Sequence, residues 1–143
     1  MKKFTFLALA ALAFAACTNQ APVSSDLALN DLEYFEARGV NVLVYSNTFN
    51  GGFNDEKNSG LEIIHHGVRT VQGGAVRLNK TPEQWDLVPF TTERKVDAEN
   101  NTVEVGLRYE DYDFDSRLVV TGNGDSFEVS VYLDKPVPEF LAG

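Results

Sequence analysis

Hydrophobic and polar residues alternate along much of the chain after residue 40, most clearly near its end. Alternate residues of a strand point to opposite faces, so this period of two predicts antiparallel strands with one buried and one solvated face. The residues expected on the buried faces of three successive strands are Val103, Val105, Leu107 and Tyr109, then Phe114, Leu118 and Val120, then Phe127, Val129, Val131 and Leu133.

Turn residues divide the earlier part of the chain into shorter extended segments. The run 42–45 is apolar at every position, which is typical of a strand covered on both faces, whereas residues 91–96 form a polar strand. Residues 47–54 are predicted to be a loop, and residues 32–38 fit a helical turn or a strand. We therefore predict an all-β domain over residues 32–143, an antiparallel β-sandwich of about eight strands.

The first residues have the order of a bacterial signal peptide. Lys2 and Lys3 precede an uncharged run, Phe4 to Ala16, which is shorter than the roughly 20 residues that a membrane-spanning helix needs. Small residues then lead into Cys17, a pattern similar to the lipobox of bacterial lipoproteins, although Phe14 stands where Leu is preferred. We expect cleavage of residues 1–16 and lipidation of Cys17, the single cysteine of the chain, with an ordinary signal peptide as the alternative.

Residues 17–31 are small and polar and are predicted to be a tether between the lipid and the domain. About 127 residues would remain after cleavage, enough for one domain. The whole chain carries a net charge of −9, which disfavours nucleic acid and anionic membrane surfaces as partners. The expected location is the cell envelope, with lipid on Cys17 holding the chain at the outer membrane, on its periplasmic or its surface face.

Two short motifs resemble metal-binding motifs, but neither has the residues that a metal site needs. His65 and His66 would point to opposite faces of one strand, so they could not easily share an ion, and we interpret them as structural imidazoles. Asp111, Asp113 and Asp115 alternate as in a calcium loop, but the glycine and the closing glutamate of an EF-hand are missing. We interpret these aspartates as a solvated strand face and predict no metal site and no cofactor.

No catalytic residue is identifiable from the sequence, because none of the 21 acidic residues is marked as one of a catalytic pair. Aromatic side chains are the better candidates for function, since a flat ring can stack on the apolar face of a sugar. The possible glycan contacts are Trp85, Tyr45, Phe49 and Phe53. Burial in the core is the alternative for Trp85.

Several blocks together resemble the N-terminal region of glycoside hydrolase family nine (cellulase-like) lipoproteins from Bacteroidota-type bacteria. The blocks are residues 39–47, 59–70, 74–78, 81–86, 112–114 and 131–138. The resemblance implies a further β-domain and then an (α/α)₆ barrel, whose acid and base hydrolyse β-glucans with inversion. No position of this chain matches those catalytic residues.

The expected function is therefore that of an N-terminal, non-catalytic β-sandwich module of a membrane-anchored, carbohydrate-active lipoprotein, with the catalytic part absent. Its expected partners are membrane lipid through Cys17, a β-glucan-type polysaccharide and the missing catalytic domain. Two alternatives remain: a small glycan-binding lipoprotein, and a structural lipoprotein of the envelope. Whether the chain is an enzyme stays open.

The lipidation hypothesis predicts that Cys17→Ser releases the protein from the membrane fraction, because the acyl chains that would anchor it are lost. Fractionation followed by mass spectrometry of the mature N-terminus measures this. Persistent tight membrane association of Cys17→Ser, or an unlipidated Cys17 in the unaltered protein, would contradict the hypothesis.

Overall fold

The computed structural model describes residues 23–46, 48–49, 52–53, 60–76, 89–137 and 139. Within these residues the chain forms strands joined by turns, with a single 3-10 turn at Glu110–Tyr112. The strands are β1 (Ala28–Leu29), β2 (Phe35–Ala37), β3 (Val40–Val44), β4 (Thr48–Phe49), β5 (Gly52–Phe53), β6 (Leu61–His65), β7 (Val68–Gly74), β8 (Phe90–Asp97), β9 (Thr102–Tyr109), β10 (Phe114–Asn123) and β11 (Ser126–Leu133).

Two antiparallel sheets form the fold. One has five strands in the order β1-β2-β3-β6-β7, and the other has four in the order β11-β10-β9-β8. Strands β4 and β5 pair separately as a short hairpin. The predicted all-β antiparallel sandwich is confirmed, with nine strands in its two main sheets among the described residues.

The four-stranded sheet is a meander whose central strands follow the alternation of the sequence. Val103, Val105 and Leu107 of β9 are at most 1% exposed, and Phe114, Leu118 and Val120 of β10 are equally well covered. Pairing keeps these residues together, since Val105 lies opposite Leu118 and Val103 opposite Val120. The inner face of β9 and β10 is therefore a continuous apolar layer.

The five-stranded sheet contributes the other half of the core. Phe35, Val42, Val44 and Leu61 are buried in the same cluster as the inner residues of β9 and β10. On the opposite face of β3, Leu43 is buried with Tyr34 and Ile64. The prediction that the apolar run of β3 is covered on both faces is correct.

The folded domain begins earlier than residue 32. Leu27 is 3% exposed and belongs to the core cluster, and β1 pairs with β2. At least residues 27–31 are thus part of the sandwich and not of a tether. The ambiguous segment 32–38 contains the strand β2, and the predicted loop 47–54 contains the hairpin of β4 and β5.

The prediction that Val129, Val131 and Leu133 are buried is wrong. They are 44–47% exposed, and Phe127 alone on that face of β11 is half-buried. Val129 and Val131 lie directly opposite the buried Val120 and Leu118 of β10, so they do face inward. They are exposed because β11 is the outermost strand of its sheet, where the facing sheet no longer covers them.

Asn101, in the turn between β8 and β9, joins the two sheets. Its Oδ1 accepts a hydrogen bond from the Leu29 amide at 2.8 Å, and its Nδ2 donates to the carbonyl oxygens of Leu27 at 2.8 Å and Gly122 at 3.0 Å. Asn101 has a φ of +52°, a conformation that Asn adopts more readily than most residues. One side chain thus satisfies backbone groups of β1 and β10.

Replacing Asn101 by Gly keeps the positive φ accessible but removes all three bonds. We expect the free energy of unfolding to fall by about 2–3 kcal/mol, at about 1 kcal/mol for each bond. The matched control is Asn100→Gly, which adds the same chain flexibility but removes only the side-chain hydrogen bond from Asn100 Nδ2 to the exposed Asp97. Urea denaturation measures both, and equal losses for the two variants would contradict the bridging role.

Candidate functional site

The outer face of the four-stranded sheet carries rows of polar side chains that run across the strands. Each inner apolar residue of β9 is followed by an outer one, so strand register brings these outer residues together. Three rows matter here: Phe90, Arg108 and Asp115; Glu93, Gly106, Arg117 and Tyr132; and Lys95, Glu104, Val119 and Ser130.

A groove of about 270 Å³ lies on this face. We call it the outer groove, and its outer-face residues are Thr92, Glu93, Lys95, Glu104, Gly106, Asp115, Arg117 and Asp134. Gly106 lines it, and a Cβ at this position would come within 2.5 Å of Thr92 Oγ1, so the Thr92 side chain already lies over the glycine. The absence of a side chain at Gly106 therefore leaves room for Thr92, one of the residues that line the groove.

Ion pairs organise the charges around the outer groove. Lys95 Nζ lies 2.9 Å from Glu93, Arg117 Nη1 lies 3.1 Å from Glu104, and Arg108 Nη1 lies 2.6 Å from Asp115. Three of the four carboxylates that line the groove are thus matched by a cation. The result is a locally balanced polar surface on a strongly acidic chain.

Two aromatic rings lie on this face at opposite edges of the sheet. Tyr132 on β11 is 49% exposed, and the guanidinium carbon of Arg117 lies 4.8 Å from its ring centroid. Phe90 on β8 is 64% exposed and lies opposite Arg108. Three steps between neighbouring strands, about 4.8 Å each, separate the two edge strands by about 14 Å.

Arg108 holds the aspartate-rich segment 111–115, which the sequence analysis interprets as a solvated strand face. Its guanidinium contacts Asp113 and Asp115 at 2.6 Å each, and the Lys135 ammonium donates to the Asp113 carbonyl. The hydrogen bond from Arg108 lowers the pKa of Asp113, with further help from the charge of Lys135. Asp113 lies in the turn before β10, so the predicted strand face of aspartates is only partly correct: Asp115 is on a strand, whereas Asp111 is in the 3-10 turn.

Asp113 is poorly suited to act as a proton donor. A general acid of a glycosidase needs a raised pKa, and the pKa of Asp113 moves in the opposite direction. On the other sheet, Glu62 is 2% exposed, and Arg69 Nε lies 3.2 Å from its carboxylate. Such a matched pair is a structural arrangement, because both charges are already compensated.

The interpretation of the two histidines needs correction. His65 ends β6, whereas His66 lies in the following turn with a φ of +49°, so the two are not on opposite faces of one strand. Their ring centroids are 4.4 Å apart in an edge-to-face arrangement, and both residues are exposed. Within the described ranges there is no group of three His, Cys, Asp or Glu side chains that could hold a metal ion.

Of the aromatic residues singled out in the sequence, only Tyr45 has a side chain that the structure describes. Cys17 and Trp85 fall outside the described residues, and Phe49 and Phe53 are placed only as members of β4 and β5. Tyr45 is half-buried and packs against the main core cluster. A role for these four aromatic residues in glycan contact stays a prediction.

The sequence does not point to Phe90 and Tyr132 as candidate contact residues, because their place beside the groove depends on residues of neighbouring strands. Each is one aromatic residue at an outward position of a strand, an arrangement with no signature in the sequence. Only the register of β8 with β9 and of β10 with β11 brings Phe90 beside Arg108 and Tyr132 beside Arg117. The alternation of β11 did indicate that Tyr132 faces outward.

Comparisons with protein-family models, with curated proteins and with solved structures found no match. In the part of the chain that the structure describes, no helix is long and apolar enough to cross a membrane. The fold and the site together define an antiparallel β-sandwich with a polar groove, flanked by aromatic residues, on the outer face of its four-stranded sheet.

Proposed function

We propose that this chain is a non-catalytic, glycan-binding β-sandwich module that lipid on Cys17 holds at the bacterial cell envelope. The observation that carries the proposal is the outer groove, with Arg117 and Tyr132 at one end and Phe90 at the opposite edge of the sheet. The signal peptide and Cys17 support the location, and the resemblance to family nine glycoside hydrolase lipoproteins supports carbohydrate as the ligand class.

The chemistry of the groove suits a neutral polyhydroxylated ligand. A sugar offers hydroxyl groups that both donate and accept hydrogen bonds, and the groove offers guanidinium donors beside carboxylate acceptors. These side chains are held in place by their ion pairs, so binding costs less side-chain ordering than it would with free side chains. A strongly charged polymer would instead disrupt pairs that already balance each other.

The aromatic residues add apolar contact at the edges of the groove. The exposed ring of Tyr132 can stack on the C–H face of a pyranose, and the Arg117 guanidinium beside it fixes the ring position. Phe90 lies three strands away. A short oligosaccharide segment that crosses the strands fits this spacing better than a single sugar.

The proposal excludes glycan hydrolysis by this chain alone. Inverting hydrolysis needs a carboxylic acid and a carboxylate about 6.5–9.5 Å apart, across the bond to be cleaved. The lining carboxylates Glu93, Glu104 and Asp115 are instead engaged by cations at 2.6–3.1 Å. In a longer protein, the role of the module would be to hold polymer near a separate catalytic domain.

Affinity gel electrophoresis with soluble mixed-linkage β-glucan, xyloglucan and hydroxyethyl cellulose tests the proposal. We expect retention by at least one of these glycans, with no release of reducing sugar. Tyr132→Ala should weaken retention about tenfold, since one ring stacked on a ligand contributes on the order of 1–1.5 kcal/mol. Phe90→Ala should also weaken it, and Tyr132→Phe should retain most of the affinity because the ring remains.

Val68→Ala is the matched control, because Val68 is an equally exposed apolar residue, 63%, on the other sheet. Its retention should equal that of the unaltered protein. Retention that is lost in Trp85→Ala but unchanged in Tyr132→Ala and Phe90→Ala would place the binding surface elsewhere and contradict the groove. Sustained hydrolysis that disappears on replacing one Asp or Glu would contradict the non-catalytic role.

A further inference from the structure

Among the residues that the structure describes, no strand pairs with the outer side of β11, so it forms an open sheet edge. It forms eight consecutive pairs with β10 without a bulge, and it is the last strand of its sheet. The segment Ser126–Leu133 contains no Pro, Gly, Lys or Arg. A long, regular edge of this kind presents unpaired backbone N–H and C=O groups that can accept another strand.

The other edges of the described sheets carry more protection than β11, whose one charged residue is Glu128. Strand β8 has a register shift between Thr91 and Glu93 and carries Arg94 and Lys95. Strand β7 has two register shifts against β6 and ends in two glycines, and β1 is only two residues long. Bulges, charged residues and short strands are the devices that block edge pairing. Of the edges formed by described residues, β11 is therefore the one best suited to accept another strand.

The inward side chains of β11 strengthen this conclusion. Val129, Val131 and Leu133 face the sandwich interior but are 44–47% exposed. An additional strand beside β11 would bring further apolar side chains against them on the same face. The edge thus offers both hydrogen-bonding groups and apolar surface to one partner.

We propose that a second copy of this chain occupies this edge, with the two β11 strands paired antiparallel about Ser130. In this register Val129 lies opposite the second copy's Val131, and Phe127 opposite its Leu133. On the outer face, Glu128 lies opposite Tyr132, which is itself in contact with Arg117. Just beyond the strand ends, Asp125 lies opposite Lys135, whose ammonium also contacts Asp113 of its own chain. All of these pairs follow from the sequence and from a two-fold axis at Ser130.

Two neighbouring registers also keep the same faces of the strands together, but their side-chain pairs are less favourable than those of the proposed register. Shifting the pairing by two residues one way places Glu128 opposite Asp134, two like charges. The same shift in the other direction places Asp125 opposite Leu133 and loses the Asp125–Lys135 pairs. Charge complementarity therefore selects a partner whose strand has this same sequence.

The dimer would extend the proposed function without depending on it. A two-fold axis perpendicular to the sheet joins two four-stranded sheets into one and keeps both outer faces on the same side. The two outer grooves would then lie side by side. Two linked sites bind one polymer more tightly than either alone, without any new contact.

Site-directed cross-linking tests the register directly. In the Cys17→Ser chain, which lacks any other cysteine, Ser130→Cys places the two thiol-bearing residues directly opposite each other, with their Cα atoms about 5 Å apart. This distance is within the range of a disulfide. The matched control Glu128→Cys lies on the same face of the same strand, but its two copies would be about 14 Å apart. We expect rapid disulfide formation for Ser130→Cys under mild oxidation and at least tenfold slower formation for Glu128→Cys.

Sedimentation velocity of the Cys17→Ser chain gives a second, independent measure. It should show a concentration-dependent dimer, and Val131→Lys should raise the dissociation constant about tenfold or more, because a charge on an edge strand opposes pairing. Circular dichroism confirms that the variant folds.

A monomer at all concentrations, equal cross-linking rates at the two positions, or protection of the β11 amides from exchange in a monomer would overturn the proposal. Loss of glycan retention in a chain that still dimerises would contradict only the proposed function.

Discussion

The structure depends on the division of β9 into one dry and one wet face. Strand β9 pairs with β8 on one side and β10 on the other, so it is central to its sheet. Its inward residues lie against the five-stranded sheet with almost no exposure, whereas its outward residues include Glu104, Gly106 and Arg108. Because the period of a strand is two, a shift of one residue would exchange these faces and remove both the core and the groove.

The same alternation has different consequences at the centre and at the edge of the sheet. On β10 the inward residues are covered, and Leu118 is 2% exposed. On β11, Val131 lies directly opposite Leu118 but remains half exposed. Burial therefore depends on the facing sheet as well as on the pattern of the strand. An apolar residue at an uncovered edge is available for an external partner.

Asn101 limits how the two sheets can move relative to each other. Its side chain binds backbone groups of Leu27, Leu29 and Gly122, so the turn between β8 and β9 is fixed to β1 and β10. The Leu27 amide also donates to the Gly124 carbonyl at 2.6 Å. These polar links lie at one end of the apolar layer and close the sandwich there. The outer groove is therefore on a face whose strand positions are well determined.

Local sequence patterns are sufficient to predict the strands that alternate strongly, which include the central strands β9 and β10. They are insufficient to predict a feature that depends on residues distant in sequence. Strand β1 falls in the segment that the sequence predicts to be a tether, because two strand residues in a polar segment carry no periodic signal. The exposure of Val129 follows from the order of the strands in its sheet, and the outer groove is lined by residues of β8, β9 and β10 together. The pattern of a single strand reveals neither feature.

The division of β9 is tested most directly by comparing two adjacent substitutions. Val105→Asp would place a carboxylate in the apolar layer and should lower the free energy of unfolding by roughly 3 kcal/mol or more. Glu104→Gln, on the outward face with an exposed ion pair to Arg117, should change it by less than about 0.5 kcal/mol. Urea denaturation of both variants measures the difference. Comparable losses for the two changes, or a larger loss for Glu104→Gln, would contradict the face assignment on which the core and the outer groove both rest.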